Sequence, residues 1–284
     1  MSMPTAAVRA GLTRGRIEFR NTLTSVQEIW SYIFPAVGVL VAMFFTSGAH
    51  VPGTTFSLGA SMLPSVLGMN IAFAGLMNLS QQLVVEREDG TLLRAKAIPD
   101  GMIGYLVGKV TQVSAMALLA SALVVIPGVF LVHGLALHSV GSWLTLVWVV
   151  VLGLLATMPL GAIIGSLFSN PRNMGLVMLP IMGLTATSGI FYPLSQFPVW
   201  LQWIGQVFPM YWLGLGMRSA LLPGALAAVE IGGSWRHLAT LGVLAAWAVA
   251  GMVVAPVVLG RMARRESGSG VAARRERAMR QTVR

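Results

Sequence analysis

A chain of 284 residues in which 56% are hydrophobic and only 10% charged cannot coat a water-exposed surface, since soluble domains carry about a quarter charged residues. With no cysteine, it excludes a disulfide, a thiolate metal site and a cysteine nucleophile. A net charge of +10 would suggest nucleic acid in a soluble protein, but here the basic residues lie where a membrane surface would meet them. The apolar residues clump into runs of about 20, long enough to cross hydrocarbon as helices, whereas barrel strands would read as short alternating segments. The expected class is an all-α integral membrane protein of about six transmembrane helices.

Residues 1–29 are too polar to span. Val8, Leu12, Phe19, Leu23, Val26 and Trp30 recur at helical steps, with Arg9, Arg16 and Arg20 flanking the stripe. This pattern predicts an amphipathic helix lying in the cytoplasmic interface, its arginines reaching lipid phosphates. The same stretch lacks the apolar core and small-residue cleavage site of a secretory peptide, so no cleavable signal is expected. The membrane domain is expected over residues 30–260. Its spans are placed at Trp30–Ser47, Leu58–Val84, Ile103–Val132, Trp143–Phe168, Met174–Phe191 and His237–Leu259. The second span ends in a polar extension carrying Asn78, Ser80, Gln81 and Gln82, followed by the charged run from Glu86 to Lys96. Between the last two spans Pro193, Pro198 and Pro209 alternate with Trp200, Trp203, Tyr211 and Trp212, which reads as short helices or a partial re-entry at the outer surface. Residues 261–284 form an arginine-rich tail, expected to be mobile or lipid-bound.

All basic residues but Arg218 and Arg236 fall on segments that are cytoplasmic if the amino terminus is inside. The positive-inside rule therefore orients both termini toward the cytoplasm. Nucleic acid is not an expected partner.

The missing chemistry is informative. There is no phosphate loop of the G-x-x-x-x-G-K-[ST] kind, no H-E-x-x-H and no G-x-S-x-G. The four histidines are scattered, so no metal site is expected. No carboxylate occurs between Gly101 and Val229, and none falls mid-span. Ion-coupled carriers need such groups as relays or ligands, so a bundle without a buried acid is expected to receive its energy from outside the membrane.

Two segments carry a family resemblance. One is Glu86-Arg87-Glu88-Asp89-Gly90-Thr91-Leu92-Leu93-Arg94, followed by Ala97-Ile98-Pro99. The other is Ser188-Gly189-Ile190-Phe191-Tyr192-Pro193, continuing through Phe197-Pro198, Phe208-Pro209 and Tyr211-Trp212 to Arg218. Together they resemble the type-2 permeases of ABC transporters, in particular the branch similar to daunorubicin-resistance exporters. The stretch Ala95-Lys96-Ala97-Ile98-Pro99 departs from the more apolar run that such permeases often carry before that proline.

The resemblance implies a type-2 permease fold in a bacterial inner membrane. It implies a transport subunit, not an enzyme, that exports a drug-like amphipathic compound or a lipid, as in antibiotic efflux, by alternating access. It also implies a second permease copy or paralogue and two ATPase subunits, with ATP and Mg bound on the ATPases and no cofactor on this chain. Glu86, Arg87, Glu88, Gly90, Thr91, Leu92 and Arg94 would form the elbow that docks into the ATPase. A polar helix that continues the second span, turns at Gly90 and presents Leu92 and Leu93 is a rigid lever. Phe191, Tyr192, Pro193 and Pro209 would form the outer gate. Asn70, Phe73, Met77, Asn78, Thr185 and Ser188 are candidates for the substrate path, because weakly polar and adaptable side chains suit varied apolar ligands; core packing is the competing reading of each. Two rivals stand beside the exporter: an ABC permease for a polysaccharide or lipid-linked glycan, and an ion-coupled secondary carrier.

Overall fold

A computed structural model describes residues 3–50, 56–132, 134–136, 139–168, 174–190 and 193–265. Among these residues the chain is all-α. Helix α1 (Met3–Thr24) stops where Ser25 leaves helical geometry and caps α2 (Val26–Thr46), its hydroxyl accepting the Glu28 amide. Ser57 caps α3 (Leu58–Phe73) in the same way and also donates to the Ser47 carbonyl, closing the connection between the two helices. Helix α3 passes through one π turn, Ala74–Asn78, and continues as α4 (Leu79–Glu88). A short α5 (Thr91–Lys96) follows, then α6 (Gly101–Leu131) and α7 (Val140–Leu167).

The apolar run after residue 174 gives a helix shorter than the sequence predicts. Helix α8 (Met174–Thr187) has 14 residues and ends before Gly189, which takes φ +72°. That left-handed backbone, natural for glycine, turns the chain away before the apolar run is used up. Helices α9 (Val199–Val207) and α10 (Pro209–Leu221) come next, and α11 (His237–Arg265) is the last. Among the described residues five helical stretches are long and apolar enough to cross a membrane: α2, the continuous α3–α4, α6, α7 and α11; α8 is a shorter apolar helix.

The core is built around α10. Proline opens this helix, where no amide partner is needed. Nearly every residue of α10 is buried, packed against α3, α7 and α11. Tyr211 and Trp212 therefore sit in the interior, whereas Trp200 and Trp203 of α9 are exposed. The two pairs look alike in sequence and part company in the fold.

Small residues set the helix spacing. A side chain on Gly11 or Gly15 of α1 would collide with the Gly104 or Gly108 carbonyl of α6. Two glycine pairs at four-residue spacing thus let these helices approach backbone to backbone. Val8, Leu12 and Leu23, on the flank of this glycine seam, stay exposed. Gly161 of α7 abuts the π turn at Gly75, and the Ser80 hydroxyl donates to the Gly161 carbonyl at 2.8 Å.

Candidate functional site

The elbow is α4, the Gly90 turn and α5. Gly90 takes φ +80°, and Asp89 Oδ1 accepts the Thr91 amide at 2.8 Å, so the chain reverses within two residues. The first residues of the elbow grip the bundle. Glu86 forms an ion pair with Lys109, a buried lysine on α6. Arg87 donates to the Ser166 and Phe168 carbonyls at the end of α7, at 3.2 Å each. Glu88 is half-buried. Leu92, expected to face the cytoplasm, is instead 1% exposed, because α5 lies against α6 and the end of α11. Leu93 and Thr91 are half-buried, and Thr91 accepts a hydrogen bond from Arg94 at 2.8 Å. Arg94, Lys96 and Ile98 are exposed, as are Asp89, Ala97, Pro99 and Asp100 around them.

Lys109 does more than hold Glu86. Its Nζ donates to Glu18 Oε2 of α1 at 2.7 Å, with Gln112 and Gln82 oxygens at 3.3 and 3.4 Å. Arg14 Nε bonds the other Glu18 oxygen at 2.7 Å, and the Arg14 guanidinium stacks 5.2 Å over the Tyr105 ring. One lysine thus joins α1, α4 and α6, and the two cations and two carboxylates cancel. Burial alone would raise the Glu18 carboxyl, but hydrogen bonds from Lys109 and then Arg14 outweigh it and hold the group below its ordinary value. Burial would likewise lower Arg14, and its bond to Glu18 raises it instead.

Three of the six substrate-path candidates come together. Asn70, Phe73 and Asn78 line a cleft of about 310 Å3 between α2, α3 with its π turn, and α6. Ser31, Tyr32 and Met69 share its wall, and no carboxylate or cation does. Met77 is buried and is not part of this wall. Thr185 and Ser188 lie on and just after α8, buried, with their hydroxyls bonded to the Ile181 and Thr185 carbonyls at 2.8 Å each.

Of the outer-gate residues, Phe191 and Tyr192 lie outside the described residues. Pro193 precedes a single tight turn, Leu194–Gln196, and Pro209 is the buried first residue of α10. What secures this end is a pair the sequence reading passed over. Arg218 of α10 bonds Glu230 Oε1 at 2.7 Å and the Gly189 carbonyl at 2.8 Å, with both side chains buried. The expectation of no buried acid fails at Glu230, which is 4% exposed, and Glu86 at the end of the α3–α4 helix is largely buried as well. Arg218 and Glu230 stand out in sequence as isolated opposite charges on either side of a loop, and that was the available signal. Among the described residues no group of three or more His, Asp or Glu side chains is placed to hold a metal ion.

No curated protein matches the chain. The family model described as ABC-2 family transporter protein matches residues 20–253, from the end of α1 to well within α11. Permeases of this family are transport subunits that work with an ABC ATPase and are not catalytic themselves. The match covers the lever, the cleft and the outer clasp, and the chain belongs to the ABC-2 family of transporters as a multi-pass membrane permease subunit.

Proposed function

We propose that this permease exports an amphipathic drug-like compound or a lipid from a bacterial cell by alternating access, driven by a separate ATPase. Two ATPase copies carrying ATP and Mg would serve two permease subunits, identical or paralogous. The observation that carries this reading is the elbow: α4 continues a span to the end of the bundle, and Glu86 and Arg87 tie that end to α6 and α7 while Arg94, Lys96 and Ile98 are exposed beyond it. Force applied at that tip is delivered to the helix that walls the cleft. The cleft, weakly polar and without a fixed charge in its wall, suits a molecule that is largely apolar with neutral hydrogen-bonding groups.

Affinity capture of the full chain from its native membrane should recover a polypeptide with a phosphate loop. In reconstituted vesicles an amphipathic drug should stimulate that partner's ATP hydrolysis. Ile98→Asp is expected to weaken capture roughly tenfold, about 1.4 kcal/mol of docking energy. Glu86→Ala combined with Arg87→Ala should preserve capture and abolish stimulation, because the lever's base is released while its tip is intact. Uphill transport persisting without ATP on a proton gradient would replace this reading with an ion-coupled carrier, and stimulation by a lipid-linked glycan alone would reassign the cargo.

A further inference from the structure

A second cavity lies on the other side of the bundle, away from the polar cleft. It encloses about 510 Å3 between α4, α6, α7 and α11. Along α6 its wall runs from Leu106 to Leu118, and along α7 from Val150 to Ala162. Twelve residue steps of about 1.5 Å make it roughly 18 Å long, an elongated slot and not a round chamber. Pro159 and Pro256, which bend or break helices, stand in the facing walls. The slot opens along one side, where Val110, Leu118, Val151, Leu155 and Met252 are exposed.

Its possible contents can be taken in turn. Water needs two to four polar partners, and of the side chains lining the slot only Lys109 and Ser114 are polar. An empty void would forfeit the dispersion contacts of its entire wall. A helix from a second copy is about 10 Å or more across and too thick to enter. A free carboxylate would meet Lys109 already engaged by Glu18 and Glu86. An unbranched hydrocarbon chain entering from the bilayer satisfies every wall.

We propose that this slot is a lipid site holding one acyl chain of a membrane phospholipid, with its headgroup outside at the bilayer surface. The chain lies against Leu79 and Leu83 of the lever on one side and Met252, Ala255 and Leu259 of α11 on the other. It fills the gap between the moving element and its support.

The test uses the full-length protein in phosphatidylcholine and phosphatidylglycerol vesicles containing a phospholipid with a photoactivatable diazirine in one acyl chain. Adducts mapped by peptide mass spectrometry should be enriched several-fold at Val110, Leu118, Leu155 and Met252 over Phe34 and Phe44, equally apolar exposed residues of α2. Ala162→Phe and, separately, Ser114→Leu should erase that enrichment while labelling of α2 is unchanged. A photoactivatable free fatty acid should label the slot no better than α2. Even labelling of all exposed apolar faces, enrichment with the free acid instead of the phospholipid, or copy-to-copy cross-links at Val151 and Met252 would each overturn the proposal. The wild-type labelling pattern decides the matter even if both variants misfold.

Discussion

Lys109 is the residue on which the inner end of the molecule converges. An ammonium that is 4% exposed is tolerable because two carboxylates compensate its desolvation. Lys109→Met leaves Glu86 without its cation and Glu18 with Arg14 alone. The expected loss is about 3 kcal/mol, the lower end of the range for breaking a buried pair, since both acids keep some contact with solvent. Adding Glu18→Gln and Glu86→Gln to Lys109→Met should recover most of that loss, read as thermal unfolding in detergent.

Glu18 gives the same cluster a pH dependence. Its carboxyl is held below the ordinary glutamate value of about 4.3. Its stabilising contribution is therefore complete above that value and is lost as pH falls through the depressed native one. The groups facing it are Arg14, Lys109 and, across the lysine, Glu86. Melting temperature should fall on acidification below about pH 4 in the wild type, and by less in Glu18→Gln. An equal fall in both would assign the acid sensitivity elsewhere. In the sequence Lys109 reads only as a charge near a span end, because nothing local announces that acids 23 and 91 residues earlier will meet there.

At the scale of the element, α1 shows what hydropathy can and cannot reveal. Its apolar stripe was legible, since Val8, Leu12 and Leu23 recur at helical steps and remain on an exposed face. Its docking face was not, because Gly11 and Gly15 carry no hydropathic signal and matter only through the close approach they permit. Gly15→Leu should lift α1 from α6 at a cost of about 1–3 kcal/mol, the usual penalty for overpacking. Trypsin reports this directly: Arg9, Arg14, Arg16 and Arg20 all lie on α1, and their cleavage should accelerate in the variant while spans elsewhere stay protected. The elbow was half legible. The turn at Gly90 followed from glycine after a polar helix, but the burial of Leu92 depends on neighbours that a six-residue helix cannot foretell. Helix α10 was misread in part for a related reason: proline and aromatic residues mark both a membrane interface and a short buried helix, and only the packing of α3, α7 and α11 decides between them.

Taken whole, the molecule gathers its ion-paired charges among the described residues into two clusters. The inner cluster is Arg14, Glu18, Glu86 and Lys109; the outer one is Arg218 with Glu230, near Arg236 stacked 4.8 Å from the Trp212 ring. The all-α, multi-pass character was readable from composition because so few charges leave no other option. Orientation can be tested without background, since the chain has no cysteine of its own. A single cysteine at Ile98 should react with an impermeant maleimide only when the cytoplasmic face is accessible, and one at Ser234 only from the outside. The reverse pattern would invert the topology.

The π turn in the middle of the α3–α4 helix has a consequence for recognition. In an unbroken α-helix eight steps of about 100° would leave Asn70 and Asn78 rotated about 80° from one another. The wider turn at Ala74–Asn78 winds more slowly and absorbs most of that rotation, so both amides address the same cleft. They are stacked about 12 Å apart along the axis, like two rungs seen from one side. If the cleft takes substrate as proposed, its selectivity is written in how tightly the backbone is coiled as well as in which side chains it bears: rewinding that single turn would swing one amide out of reach without altering a residue that lines the cleft.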